Sequence, residues 1–283
     1  LHTMRLDPVA SMAFTLAMDF EGDQWTFFKQ PTAELYNLYG VDVQELTIWR
    51  PVIDHVGEQV THGRIPLVEV DSFYLPDTTG VAYGMEHTKT TIAVETFDLD
   101  ERRIGYFHNA GYFELCGADF NGLFRADSAS LAPYTEIAKL DRLVHRDEAD
   151  LRGMARELVR YYLGRIPRVN PVTKFRSRFA SDMAWLAQEE MAVFYKYAFA
   201  TLRQCGACAE MASTFLTWLP KHHDERATGA DDFAAIASAA KAIQFKIARM
   251  MATKKPADVA LLLDQMEVGW DHAMADLVSR YAA

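Results

Sequence analysis

The sequence predicts an α+β protein, a sheet-bearing first half followed by an all-helical second half. Three observations carry that prediction. Residues 1–139 hold 9 Lys+Arg against 21 Asp+Glu, while the remainder holds 20 against 18, so a net charge of −10 sits almost entirely in the first half. Texture changes at the same place. Short β-branched and aromatic runs broken by Gly, Pro and Asp give way to long stretches rich in Ala, Met, Leu and Arg. Half of the 283 residues are hydrophobic and 24% are charged, an ordinary globular composition that excludes a disordered chain.

The elements follow in order. Thr32 to Gly40 reads as a short helix. Pro51 to Gly63 reads as another, with Pro at its first position and Gly just past its end. Val52, Ile53, Val56 and Val60 fall within one arc of about 100° on that helix. Strands are expected at Leu67–Tyr74, Thr88–Phe97 and Arg103–His108. The last two flank Asp98-Leu99-Asp100-Glu101 and should pair as a hairpin whose partners sum to roughly 198–202. A domain boundary is placed in the stretch 127–140, which gives domains of 1–135 and 136–283.

Beyond the boundary, Leu151, Met154, Leu158, Val159 and Tyr162 recur at helical spacing before Gly164. A second helix is expected from about Asp182 to Trp218, with a break near Gly206. A third covers roughly Asp231–Met251. A fourth opens at Pro256 and carries a stripe from Val259 through Trp270 to Tyr281. No run of about 18 uncharged apolar residues occurs, so no membrane partner is expected. The acidic balance argues against a nucleic-acid partner. Three cysteines in this length point to a reducing, cytoplasmic setting.

Several groups of residues invite a chemical reading. Cys205 and Cys208 form a CxxC inside helical sequence. The nearest His pair, His222-His223, lacks zinc-ligand spacing, so the expectation is a pair of helix-borne thiols of unassigned role. His55, Glu58 and His62 share the polar side of one helix, an arrangement that can hold a divalent ion but equally makes a solvated face; no metal site is assigned. Cys116 follows Phe113 and Leu115 and reads as a buried thiol. The most informative segment is 67–111. Glu69 and Asp71 interrupt an apolar strand, His87 stands just before the next strand, and His108 and Asn109 end the returning one. Hairpin arithmetic places His87 opposite residues 111–115 and within a few residues of Asn109. An imidazole oriented by an amide is the base half of a cysteine–histidine–asparagine system, and equally a plain hydrogen bond at a sheet end.

The runs DPVASMAFTLAMDFEGDQWTFFK, VDVQELTIWRP, LVEVDSFYLPDT, EHTKTTIAV and RRIGYFHNAGYFEL resemble a bacterial family called domain of unknown function 1839. The resemblance extends from about residue 3 through the helical half. That family is in turn distantly similar to the N-terminal domain of the butirosin-biosynthesis acyltransferase and to the papain-like, C39-peptidase-like group. The resemblance implies a papain-like first domain lacking its first helix in this chain, and an all-α second domain. It implies His87 as general base and acid and Asn109 as its orienter, with Asp71 and Tyr74 in the pocket wall. The chain opens on Leu1 with its first Met at position 4, and the nucleophilic Cys is expected upstream of Leu1.

The implied activity is cysteine-dependent transfer of an aminoacyl group from a phosphopantetheine carrier-protein thioester to an acceptor. No cofactor is expected beyond the phosphopantetheine of that substrate. The implied partners are the aminoacylated carrier protein and its amino acid:carrier-protein ligase. A peptidase or amidase on the same site, or a non-catalytic carrier-protein-binding module, are the alternatives. Residues 142–178 carry ten Lys+Arg against four acids. Arg152, Arg156 and Arg160, spaced four apart, are expected to dock the acidic carrier or else to pair with the acidic first half.

Overall fold

The computed structural model describes residues 4–26, 29–124, 132–220 and 229–281. The chain divides into two compact units, one formed by Leu1–Pro31 with His145–Ala283 and the other by Thr32–Val144. The first strands, β1 (Phe20–Glu21) and β2 (Gln24–Trp25), form a small hairpin that belongs with the helices rather than with the main sheet.

The sheet unit opens with α1 (Thr32–Tyr39), β3 (Asp42–Glu45), α2 (Val52–Thr61) and β4 (Ile65–Asp71). Two single turns, Ser72–Tyr74 and Pro76–Thr78, come before β5 (Lys89–Asp98), β6 (Arg103–His108) and β7 (Gly111–Cys116). The short α3 (Gly117–Leu123) and then β8 (Thr135–Lys139) complete it. The six strands lie in the order β3-β8-β4-β5-β6-β7, every neighbour antiparallel. Part of the stretch read as a domain boundary is therefore a strand between β3 and β4; positions 127–131 of it lie outside the described residues. The alternation of β4 explains its charges. Pro66, Val68 and Val70 are buried, whereas Glu69 and Asp71 fall on the other side of the pleat. Val68 and Val70 join Val56, Leu75, Ile92, Val94, Ile104, Tyr106 and Phe120 in one core.

Pairs Ala93↔Phe107 and Asp98↔Arg103 give the register expected for the hairpin, with one irregularity between Val94 and Thr96. The extrapolation beyond it fails. At His108 the chain reverses through Asn109 and Ala110, and His108 pairs with Gly111. Residues 111–115 run back along β6 and do not lie opposite His87.

The helical unit contains α4 (Glu148–Leu163), α5 (Pro171–Leu186), α6 (Met191–Ala198), α7 (Gln204–Trp218), α8 (Gly229–Thr253) and α9 (Ala260–Tyr281). The interruption expected at Gly206 occurs earlier, at 187–190, and the helix expected from Asp182 begins at Pro171 with Asn170 as its cap. Between α6 and α7 the chain continues without a break through a wide π-helical turn, Phe199–Arg203. Among the described residues no helix is long and apolar enough to cross a membrane.

Candidate functional site

Asp71 ends β4 with its two carboxylate oxygens in use. Oδ1 accepts from the Phe73 backbone N–H at 3.0 Å and so caps the turn Ser72–Tyr74. Oδ2 lies 2.6 Å from Nδ1 of His87. Ser72 fixes the far side of the same loop, since its N–H and Oγ both donate to the Thr88 carbonyl, at 2.9 and 2.8 Å. The His87 ring stacks on Phe73 with centroids 4.3 Å apart and planes 10° apart, and Tyr74 approaches it edge-on at 6.4 Å. Its Nε2 has no hydrogen-bond partner among the described residues.

His87 is thus held at one nitrogen and on one face while its side chain stays 65% exposed. That arrangement fixes the tautomer and leaves the second nitrogen open to a proton. Asp71, Tyr74 and His87 line a cavity of about 540 Å³ together with Val52, Val70, Lys89, Gly122 and Phe124. Lys89 is tied to Glu69 at 2.7 Å.

The structure gives Asn109 a different imidazole. Its Nδ2 stands 3.3 Å from His108 Nδ1, and its backbone is left-handed, with φ of 51°. His87 takes Asp71 instead, because the β6–β7 reversal turns Asn109 toward its own neighbour. His108 sits in a network that sequence reading missed. Asp77 Oδ2 is 2.6 Å from His108 Nδ1, Asp77 Oδ1 accepts from the Tyr106 hydroxyl at 2.6 Å, and Thr90 Oγ1 is 2.9 Å from His108 Nε2. The side chains of His108 and Asp77 are 5% and 2% exposed. Burial, followed by the Asp77 hydrogen bond, pushes the Tyr106 phenol well above its ordinary value, so it remains a donor. The signal available in the sequence was the alternation of Tyr106 and His108 on one face of β6, with Asp77 two residues after Leu75. This network pins the loop that leads from Asp71 to His87.

No cysteine of the sheet unit stands beside His87 among the described residues. Cys116, expected to be buried, is exposed, because Leu115 takes the inward position on the last strand and Cys116 the outward one. It pairs with Arg103, at the opposite end of β6 from His108 and about 17 Å along the strand at the usual rise per residue. Cys205 and Cys208 are free thiols buried in α7. Burial pushes Cys208 up to about 12 and Cys205 well above its ordinary value, so both stay protonated. His222-His223 lies outside the described residues. His55 is buried and its Nε2 lies 3.3 Å from the Trp49 N–H, while Glu58 faces His62 and Arg50. Among the described residues no group of three His, Cys, Asp or Glu is placed to hold a metal.

The three arginines of α4 do not form one free ridge. Arg152 pairs with Glu148 at 2.8 Å, donates to the Trp218 carbonyl and lies over the Trp218 ring, with its side chain 18% exposed. Arg160 pairs with Glu157 at 2.6 Å. Arg156 is half-buried. The partners seen are on the helices themselves.

No curated protein matches the chain. A family model described as the DUF1839 N-terminal domain matches residues 1–140, and one described as the DUF1839 C-terminal domain matches residues 148–279. Together they cover nearly the whole sequence, and the chain belongs to the DUF1839 family.

Proposed function

We propose that the sheet unit is an acyl-transfer site in which His87, oriented by Asp71, serves as general base and then general acid toward a cysteine thiol. The observation that carries this reading is the His87–Asp71 pair at 2.6 Å on the wall of an open cavity, with Nε2 left free. In such a pair the carboxylate holds the imidazole in one tautomer and stabilises the imidazolium formed when the thiol is deprotonated. The thiolate attacks the thioester carbonyl of a phosphopantetheine-borne aminoacyl group. The pantetheine sulfur leaves with the proton from His87, and an acceptor amine then takes the acyl group from the cysteine.

The papain-like relationship is part of the proposal. An antiparallel sheet with a histidine just before one strand supports it, and Asp71 replaces Asn109 as the orienting group. In this reading the thiol is none of Cys116, Cys205 and Cys208.

The experiment is intact-protein mass spectrometry of the natural translation product mixed with an aminoacylated carrier protein. An aminoacyl adduct is expected on the parent, and at least a hundredfold slower formation in His87→Gln. A normal adduct rate in His87→Gln removes His87 from the chemistry. Cys116, the thiol of the sheet unit, pairs with Arg103 at the opposite end of β6 from His108, which favours a second reading, a module that binds the loaded carrier without reacting. Saturable carrier binding with no adduct would establish that reading instead.

A further inference from the structure

Strand β7 (Gly111–Cys116) is one edge of the six-stranded sheet, and β6 is its neighbour there. His108 and Gly111 close a two-residue reversal, so they face each other with hydrogen bonds, as do Tyr106 with Phe113 and Ile104 with Leu115. The residues between, Tyr112 and Glu114, turn their backbone N–H and C=O groups away from β6, and Cys116 does so with its N–H. Among the described residues none of these groups has a backbone partner. Natural sheets blunt such edges with Lys, Pro or a bulge. Strand β7 has none of these, since its sequence is GYFELC and its register with β6 is unbroken.

The side chains of the edge say what can lie along it. Leu115 is buried and Phe113 packs on the sheet core, whereas Tyr112, Glu114 and Cys116 are exposed. The Tyr112 ring is set edge-on against Phe107 at 4.9 Å, yet the residue stays 41% exposed. Glu114 has no ion pair among the described residues. Its whole unit is acidic, with 18 Asp+Glu against 8 Lys+Arg in Thr32–Val144. A second copy of the chain is therefore a poor occupant. Antiparallel pairing about a two-fold axis sets Glu114 against Glu114, and a register slipped by two residues leaves the carboxylates diagonal neighbours.

We infer that the β7 edge binds an extended basic peptide segment, which joins the sheet as a seventh strand. The open backbone groups alternate at the spacing of another extended chain. An antiparallel strand continues the pattern of the sheet and makes the better-aligned hydrogen bonds. Its residue opposite Glu114 is Lys or Arg, which pairs with that carboxylate. Its residue opposite Tyr112 is basic as well and lies against the exposed ring. The residue between these two is apolar and sits beside Phe113. Arg103 stands opposite Cys116 on the same face, so the residue that meets Cys116 is neutral. In chain order the partner strand thus reads neutral, apolar, basic, apolar, basic.

The test is an NMR titration of the full chain, labelled at its backbone amides, with the end-blocked peptide Thr-Val-Lys-Val-Arg-Val. One comparison peptide has Glu in place of both basic residues. The other is the basic peptide N-methylated on the backbone of Lys and Arg, which removes the N–H groups aimed at the Glu114 and Tyr112 carbonyls. The basic peptide is expected to shift the Tyr112 and Glu114 amides saturably. It should bind at least about tenfold more tightly than its N-methylated form, which lacks two hydrogen bonds. Glu114→Lys keeps the strand and reverses its charge. It is expected to weaken the basic peptide about fivefold and to strengthen the acidic one. No saturable shift at millimolar peptide, equal binding of the N-methylated peptide, or equal binding of the acidic and basic peptides to the parent would each overturn the assignment. So would a parent dimer whose dissociation constant changes in Glu114→Lys, since the edge would then belong to a second copy.

Discussion

Asp77 shows what a single carboxylate does in the sheet unit. It accepts from the Tyr106 hydroxyl and from His108, both at 2.6 Å, with almost no access to water. Replacing it with Ala leaves a phenol and an imidazole buried without their acceptor. The expected cost is about 2–5 kcal/mol in urea unfolding, since each buried donor left without its acceptor costs about 1–3 kcal/mol, and a loss below about 1 kcal/mol would refute the network's role. Asp77→Asn keeps one acceptor oxygen and should cost less. Residues of this kind are the hardest to read from sequence. Asp71, Tyr74, His87 and Asn109 stood out because each lies beside a strand end. Which carboxylate meets which imidazole depended on where β6 reverses, and nothing in GYFHNAGYFEL fixed that reversal at Asn109. The resemblance implied Asp71 for the pocket wall, and in the structure its carboxylate meets the His87 imidazole at 2.6 Å.

At the scale of elements, α3 and the turn Ser72–Tyr74 meet at Gly122. A Cβ added there would come within 2.2 Å of the Tyr74 ring carbons, so a side chain must displace Tyr74 from the cavity wall. Gly122→Ala is therefore expected to destabilise the protein by about 1–3 kcal/mol. The sign should reverse in a Tyr74→Ala background, where the clash is gone and the better helix former contributes up to about 1 kcal/mol. A double-mutant cycle by denaturant unfolding checks this, and additivity within about 0.5 kcal/mol would show that the two side chains do not collide.

The elements legible in the sequence were those with strong periodicity or punctuation. Helices α1 and α2, the β5–β6 hairpin and the stripe of α9 belong to this group. Those missed were weak locally and are stabilised by their neighbours. Strand β8 is five residues, Thr135–Lys139, paired on both sides by β3 and β4. The start of α5 carried a readable signal, Asn170 before Pro171, whose side chain accepts from Val172 N–H at 2.9 Å. The break after Leu186 has no Gly or Pro to announce it, whereas Gly206, which looked like a breaker, lies within α7 against Ala240.

For the whole molecule, the change of charge at residue 140 can be set beside two other divisions of the chain. The family models divide the chain between residues 140 and 148, and the compact units also move Leu1–Pro31 to the helical part. Composition misses that exchange because the first 31 residues look like the rest of the acidic half. Each unit nevertheless holds a tyrosine whose proton the fold retains. Burial comes first for both phenols, followed at Tyr106 by its hydrogen bond to Asp77 and at Tyr197 by the charge of Asp182. Both therefore lie above the ordinary value of 10.0. In the unfolded chain they ionise near that value, so above it the unfolded state binds fewer protons than the folded state and stability falls as pH rises. The buried thiols of Cys205 and Cys208 act in the same direction, starting from 9.0. The stabilisation is complete below about pH 9 and is lost progressively above it, each phenol steepening the fall by at most about 1.4 kcal/mol per pH unit above its unfolded value. Unfolding by urea at pH 8, 9, 10 and 11 should show this decline. Tyr106→Phe and Tyr197→Phe lower the curve at every pH by the lost hydrogen bond, but they are expected to flatten its slope above pH 10. A parent slope retained in both variants would mean that neither phenol keeps its proton on folding.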